Sequence, residues 1–401
     1  MTRHGRPAPQ IGVGSPSALR DANRRRVLDV LAREGAASQA SLARRTGLSR
    51  ATIFNIVGGL REAGVVSVTE QVRGGRRVAE VQFSRRAGLV LGIDLDHRHL
   101  RVAVADLSHQ ILAERMSPIE PRRTADETMA LAAEWVEAVL EDLDASHGEV
   151  LGVGMGLPAP IDPTSGEVGS SAILPGWVGV PAAEAMTYRL GMPVVVDNDA
   201  NLGALAEITW GGSRGCDHLV YLKLSAGVGA GLVLGGRIYR GAAGTAGEIG
   251  HTTVDERGAL CRCGNRGCLE SFVGSEALLT LLRATQPEAE SIDDLVRLAA
   301  TGDAGSRRLL ADAGRYVGMA LANLCNLLAP SKVVVGGELA ATGDLLLEPM
   351  REIVRRHAIP AAANTVEIVT SDLGERSEVL GALALVLRDE LALSTVLKAA
   401  G

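Results

Sequence analysis

The sequence predicts an α/β protein in two parts: an N-terminal winged helix-turn-helix, and behind it a larger α/β body of two lobes. Three observations predict this. The chain has 41 Lys and Arg against 47 Asp and Glu over 401 residues, but residues 1–86 hold sixteen arginines, no lysine and six acids, so a segment at +10 precedes a body at −16. Hydrophobic spacing is helical up to Gly64 and strand-like after it. From Leu89 onward, groups of strands followed by helices occur twice. The length also exceeds one typical core, so two or three domains are expected.

In order along the chain, residues 1–18 are rich in Pro, Gly and small polar residues and read as a disordered arm. From Arg20 a helix buries Val27, Leu28, Val30 and Leu31, with Gly35 as its stop. A short second helix starts behind the N-cap Ser38. Thr46-Gly47-Leu48 forms the turn, and Ser49 caps a third helix with Ile53, Val57 and Leu60 on one side. The spacing of Ala43, Gly47, Leu48 and Ile53 fits a helix-turn-helix. Strands 65–69 and 78–83 around an Arg-Gly-rich turn form a wing. A polyanion is the expected partner, and in this arrangement it is double-stranded DNA. Ser49, Arg50, Thr52 and Asn55 on the third helix can reach bases or phosphates, while Arg73, Arg76 and Arg77 on the wing can meet phosphates or a minor groove. Residues 19–84 form this domain.

The body then runs strand 89–94, strand 100–106, strand 110–116, helix 125–144, strand 150–155, helix 182–190, strand 193–196 and a helix to Trp210. The second pass has strands 219–224, 231–234 and 332–336 and a final helix over 380–393. The lobes are expected at 85–197 with 380–400, and at 198–379. No apolar run reaches membrane-spanning length. The N-terminus lacks the apolar stretch of a secretory signal. Five cysteines without a disulfide framework point to a reducing cytoplasm.

Three of those cysteines fall in one stretch, Gly247–Glu270. His251, Cys261, Cys263 and Cys268 offer one imidazole and three thiolates, a set that closes a tetrahedral structural site and, by ligand softness and number, points to zinc. Gly264 and Gly267 allow the sharp bends that so close a spacing needs. Glu248 and Glu270 bracket these ligands, where a carboxylate can accept from a polyol. Farther upstream, Asn198 and Asp199 stand between an apolar strand and a helix, at the strand end where α/β proteins bind ligands.

The pattern E-x-G-H followed by C-x-C-G-x-x-G-C-x-E resembles the ROK family of sugar-responsive repressors and sugar kinases, and the likeness extends over the whole chain. It implies a two-lobed actin/hexokinase-like (ribonuclease H-like) body, with zinc on His251, Cys261, Cys263 and Cys268. It further implies a sugar held by Asn198, Asp199, Glu248, His251 and Glu270, with Asp199 at the position of the kinase base. The nucleotide half departs from the kinase pattern. Gly92–Arg98 lacks the second and third glycines and the Thr of the first phosphate turn. Ser225–Gly229 lacks a leading Gly and a Thr, and Gly336-Gly337-Glu338 ends on an acid. ATP binding is therefore expected to be lost, with Asp199 a vestigial base and no catalytic residue.

The expected function is a sugar-responsive transcriptional regulator, a repressor of carbohydrate-utilisation genes, acting as a homodimer or dimer of dimers on operator DNA. An ATP-dependent sugar kinase with an added DNA-binding domain is the alternative. A regulator answering to a transport protein is a third reading. The sugar stays open among xylose, glucose, N-acetylglucosamine and a phosphorylated form.

Overall fold

The computed structural model describes residues 16–401 other than 74, 75, 85, 86, 97, 120–123, 170–173, 389–394 and 396–401; side chains at 16–18, 71–78 and 175 are also outside the described residues. Its contacts divide the chain into one unit of Met1–Ala87 with Arg388–Gly401 and another of Gly88–Leu387. The expected boundary after residue 84 thus falls three residues later. The expectation placed 380–400 with the first lobe; the division comes instead after Leu387.

In the smaller unit α1 (Pro16–Glu34) starts inside the expected arm, whose residues 1–15 lie outside the described residues. Val27, Leu28 and Leu31 are buried as the spacing requires, whereas Val30 is only half-buried and Ala32 takes its place in the core. A two-residue strand β1 (Ala37–Ser38), not anticipated, precedes α2 (Gln39–Thr46) and α3 (Arg50–Glu62). Both helices start on serine caps: Ser38 Oγ accepts from Ser41 N at 3.2 Å, and Ser49 Oγ from Thr52 N at 3.1 Å. Each cap satisfies a backbone donor and contributes about 1 kcal/mol. Ile53, Val57 and Leu60 close the core with Leu42. The wing is the hairpin β2 (Val66–Arg73) and β3 (Arg76–Phe83), and the sheet order is β1-β3-β2.

The larger unit contains two five-stranded sheets of one topology. The first comprises β4 (Leu89–Leu95), β5 (His99–Asp106), β6 (Ile111–Pro118), β7 (Val150–Leu157) and β8 (Val194–Asn198), ordered β6-β5-β4-β7-β8. The second comprises β9 (His218–Leu224), β10 (Val228–Leu234), β11 (Arg237–Ile238), β12 (Lys332–Gly336) and β13 (Glu367–Thr370), ordered β11-β10-β9-β12-β13. In each, three antiparallel strands are followed by two parallel ones, so the loose repetition in the sequence is a duplication in space. Strands β11 and β13 went unread: one is two residues long, and the other is four residues at a sheet edge, too short for an alternating signature.

Helices α4 (Ala125–Asp142) and α5 (Ala182–Leu190) cover the first sheet. Helices α7 (Glu270–Val273), α8 (Ser275–Arg283), α9 (Ile292–Ala300), α10 (Ala304–Leu328), α11 (Asp344–His357) and α12 (Pro360–Ala363) belong to the second lobe. Two helices stand between the sheets: α6 (Asp199–Thr209), which packs on β9 and β10, and α13 (Ser377–Leu387), which packs on β4, β7 and α6. They cross at a glycine. A Cβ on Gly381 would lie 1.9 Å from the Leu202 carbonyl oxygen, so any larger residue would force the helices apart. The described part of the final helix therefore serves the joint between the sheets, and it begins three residues before the expected Leu380.

Candidate functional site

The joint between β8 and α6 places the first two candidates. Asn198 is the N-cap of α6: Oδ1 accepts from Ala200 N at 3.0 Å and Nδ2 donates to Ala159 O at 3.2 Å. Capping thus uses Oδ1 and leaves one amide hydrogen over for a further acceptor. Asp199 is buried, its Oδ1 accepting from its neighbour's amide and its Oδ2 held 2.8 Å from Lys223 Nζ. Asp197 does not face the ligand side; it accepts from Arg240 and from Asn201 Nδ2.

Lys223, on β9, was not read from the sequence. It is buried, and its ammonium also lies 3.0 Å from Asp96 Oδ2 and 3.8 Å from Glu378 Oε1. Burial by itself would lower this amine. The carboxylates of Asp199, Asp96 and Glu378 outweigh burial and raise its pKa well above the ordinary value, so the cation persists. Burial pushes the Asp199 carboxyl up, and Lys223 opposes that shift.

The second lobe supplies the rest. His251, Cys261, Cys263 and Cys268 converge until their ligand atoms all lie within 4.8 Å of one another. Cys261 Sγ is 3.7 Å from His251 Nδ1, and Cys263 Sγ is 3.7 Å from Cys268 Sγ. Metal–sulfur bonds of about 2.3 Å in a tetrahedron put sulfurs about 3.8 Å apart, so this spacing suits a bound ion. A disulfide would bring them to about 2 Å. Gly264 and Gly267 adopt φ of 88° and 66°, and a Cβ on Gly267 would meet the Asp255 carbonyl oxygen at 1.6 Å, which supports the bends expected there.

Beside the metal loop, Glu248 Oε2 lies 3.7 Å from His251 Nε2. Burial first, then the charges of Asp199 and Glu270, push its carboxyl up to about 7. Glu270 Oε2 accepts from Val228 N at 3.1 Å and from Arg262 Nη2 at 2.8 Å. One cleft is lined by Asn198, Asp199, Glu248, His251 and Glu270 together with Asp96, Lys223 and Arg262. Many acceptors, one amide and two cations facing one space suit a ligand rich in hydroxyl groups, each of which both donates and accepts.

The three turns compared above with phosphate turns also meet here. Asp96 and Arg98 lie in the β4–β5 turn, whose His97 is outside the described residues. Ser225–Gly227 forms the β9–β10 turn, because β10 starts at Val228, three residues before the expected Gly231. Gly337 follows β12 with φ of 82°. Across the cleft, Arg98 pairs with Glu338, which also accepts from Ser275 Oγ at 3.0 Å, and Asp96 pairs with Lys223.

On the small unit, Arg50 and Asn55 are exposed on α3, and Thr52 is half-buried with its hydroxyl 2.8 Å from that of Ser49. The Arg73, Arg76 and Arg77 side chains lie outside the described residues; their backbones belong to the wing strands. Phe54 was missed. It is 67% exposed beside Asn55, where a helix shielding its apolar side would have buried it.

Residues 90–389 match the ROK family and residues 21–77 the MarR family. The chain belongs to the ROK family. Its small unit is a MarR-type winged helix, and its body has the actin/hexokinase-like fold of ROK proteins. The xylose repressor of Caldicellulosiruptor bescii is 28% identical over 394 residues, 94% of this chain and 98% of the relative. The DNA-binding transcriptional dual regulator NagC of Escherichia coli (strain K12) is 28% identical over 395 residues, 95% and 96%. A crystallised ROK family transcriptional regulator, a homologue of the E. coli MLC protein, superposes with a TM-score of 0.77 at 26% identity, covering 95% of this chain and 99% of that one. A ROK glucokinase from Streptomyces griseus, solved with glucose and AMPPNP, gives 0.65 at 28% identity over 74% of this chain and 99% of its own. These three regulators cover 94–95% of this chain, and the kinase covers 74%. Among the described residues no helix is long and apolar enough to cross a membrane.

Proposed function

We propose that this ROK protein is a DNA-binding transcriptional repressor of sugar-utilisation genes, released or engaged by a sugar in the cleft. The observation that carries this reading is the single cleft in which Asn198, Asp199, Glu248, His251 and Glu270 meet, in a chain that also bears a winged helix. Zinc on His251, Cys261, Cys263 and Cys268 holds the loop that carries two of these contacts. Ser49, Arg50, Thr52 and Asn55 approach the major groove, with Arg73, Arg76 and Arg77 on the backbone. A homodimer in the cytoplasm reads a two-fold operator.

The full-length likeness to proteins named as regulators supports this reading over an enzyme. So does the cleft: where a triphosphate would need open backbone amides, carboxylates of Asp96 and Glu338 stand instead, each paired across the cleft. Sugar shifts DNA affinity only by its differential affinity for the two arrangements, typically about 1–3 kcal/mol. The test is a gel shift with the operator and a panel of free and phosphorylated sugars. The expected result is a change of five-fold or more in operator affinity with one sugar; no change with any member rejects the reading. ATP-dependent phosphorylation of a sugar, lost in Asp199→Asn, would establish the kinase alternative.

A further inference from the structure

Arg262 stands between two metal-ligating cysteines, and its side chain leaves their loop for the cleft. Its Nη2 donates to Glu270 Oε2 at 2.8 Å, and Val228 N donates to the same oxygen at 3.1 Å. Two donors on one oxygen fix the rotation of a carboxylate that is 10% exposed. They leave Oε1 without a hydrogen bond among the described residues, as the atom free to meet a ligand. The loop backbone is tied on both sides of the arginine, by Cys261 N to Asn265 O at 2.7 Å and by a bridge between Leu260 and Arg266. Gly227 roofs the pair: a Cβ there would lie 3.4 Å from both Arg262 Nη2 and Glu270 Oε2. With Cys261 and Cys263 both bound to an ion, the Arg262 backbone has no room to drift. With the ion gone, only loop hydrogen bonds hold it.

We propose that Arg262 is a positioning residue that couples the metal loop to the ligand-facing carboxylate of Glu270. Metal binding holds the guanidinium against Oε2 and so presents Oε1 to the sugar; metal loss releases the arginine and leaves a buried carboxylate with one donor. Coupling is reciprocal, so whatever steadies Glu270 also slows metal loss. The proposal rests on the cleft being the sugar site for its sugar arm, but not for its metal arm.

The experiment uses the full-length zinc-loaded chain as wild type, Arg262→Ala, Arg262→Lys, Glu270→Gln and the Ala/Gln double variant. Zinc release to excess chelator is followed with a chromophoric indicator. Arg262→Ala and Glu270→Gln are expected to release zinc about tenfold faster, in keeping with ligand-orienting contacts, and the double variant no faster than either. Arg262→Lys recovers part of the loss, since an ammonium lacks the planar fork; it also carries the comparison if the alanine variant does not fold. By calorimetry, zinc removal weakens sugar binding in wild type but adds nothing in Arg262→Ala, which is already about tenfold weaker. Wild-type release rates in the single variants, or additive effects in the double variant, would overturn the coupling. A wild type that binds no sugar would refute the sugar reading alone, and the release kinetics would still decide the tie between Arg262 and Glu270.

Discussion

Arg98 and Glu338 lie 240 residues apart in the chain and form an ion pair between the β4–β5 turn and the segment that follows β12. Both side chains are partly exposed, so the pair contributes about 0–1 kcal/mol. Glu338→Gly should leave the urea midpoint near that of wild type. ATP should give no thermal shift in either protein, because Asp96 and Lys223 still fill the facing turn. A nucleotide-dependent rise in melting temperature of wild type would sink the non-enzymatic reading.

Lys223 is the opposite case. Its cation is buried among Asp96, Asp199 and Glu378, and removing it takes the shared positive charge from three carboxylates. Lys223→Met should cost about 3–5 kcal/mol in urea unfolding. A loss below about 1 kcal/mol would mean that the carboxylates take up protons or rearrange at little cost.

Glu378 gives a pH signature. Burial, with Asp94 and Asp199 adding and Lys223 opposing, pushes its carboxyl up to about 7 from an ordinary 4.5. Between these values the folded chain holds a proton that the unfolded chain has released, so this group lowers stability as pH rises from 4.5 to 7. Other carboxylates superimpose their own slopes. The decisive quantity is the wild-type slope minus that of Glu378→Gln, which should be negative across this window; a zero difference refutes the assignment.

Removing the metal should destabilise the body. Cys268 is fully buried, and its ligand atom lies within 4.8 Å of those of three partners brought from up to 17 residues away, a set that could hold a metal ion. Cys268→Ser, or chelation of wild type, should lower the melting temperature and expose the loop to protease. Identical melting curves with and without chelator would show that the cluster carries no ion that matters to the fold.

On α3, Phe54→Ala should leave stability within about 0.5 kcal/mol, because the ring is exposed. Operator affinity should nonetheless fall by about 1–3 kcal/mol if the ring reaches a thymine methyl. Arg50→Ala should weaken binding to all sequences alike and reduce the salt slope by about one. Unchanged affinity in both variants would move the DNA contact off this helix face.

What the sequence determined by itself is whatever depends on neighbours in the chain. Ser38 and Ser49 act as caps because their acceptor and donor are three residues apart, and Gly264 sits at a positive-φ bend that local backbone geometry decides. The His-Cys quartet and its bracketing glutamates were legible for the same reason, as were β4, β5 and β7 of the first sheet, which are long and buried. Tertiary structure alone decided the charge pattern of the cleft. Lys223 reaches Asp199 over 24 residues and Asp96 over 127, and Arg98 reaches Glu338 over 240. No periodicity marks such partners, since a lysine within an apolar strand looks the same whether it is paired or stranded. Only folding brings the opposite charges near enough to keep it buried and ionised.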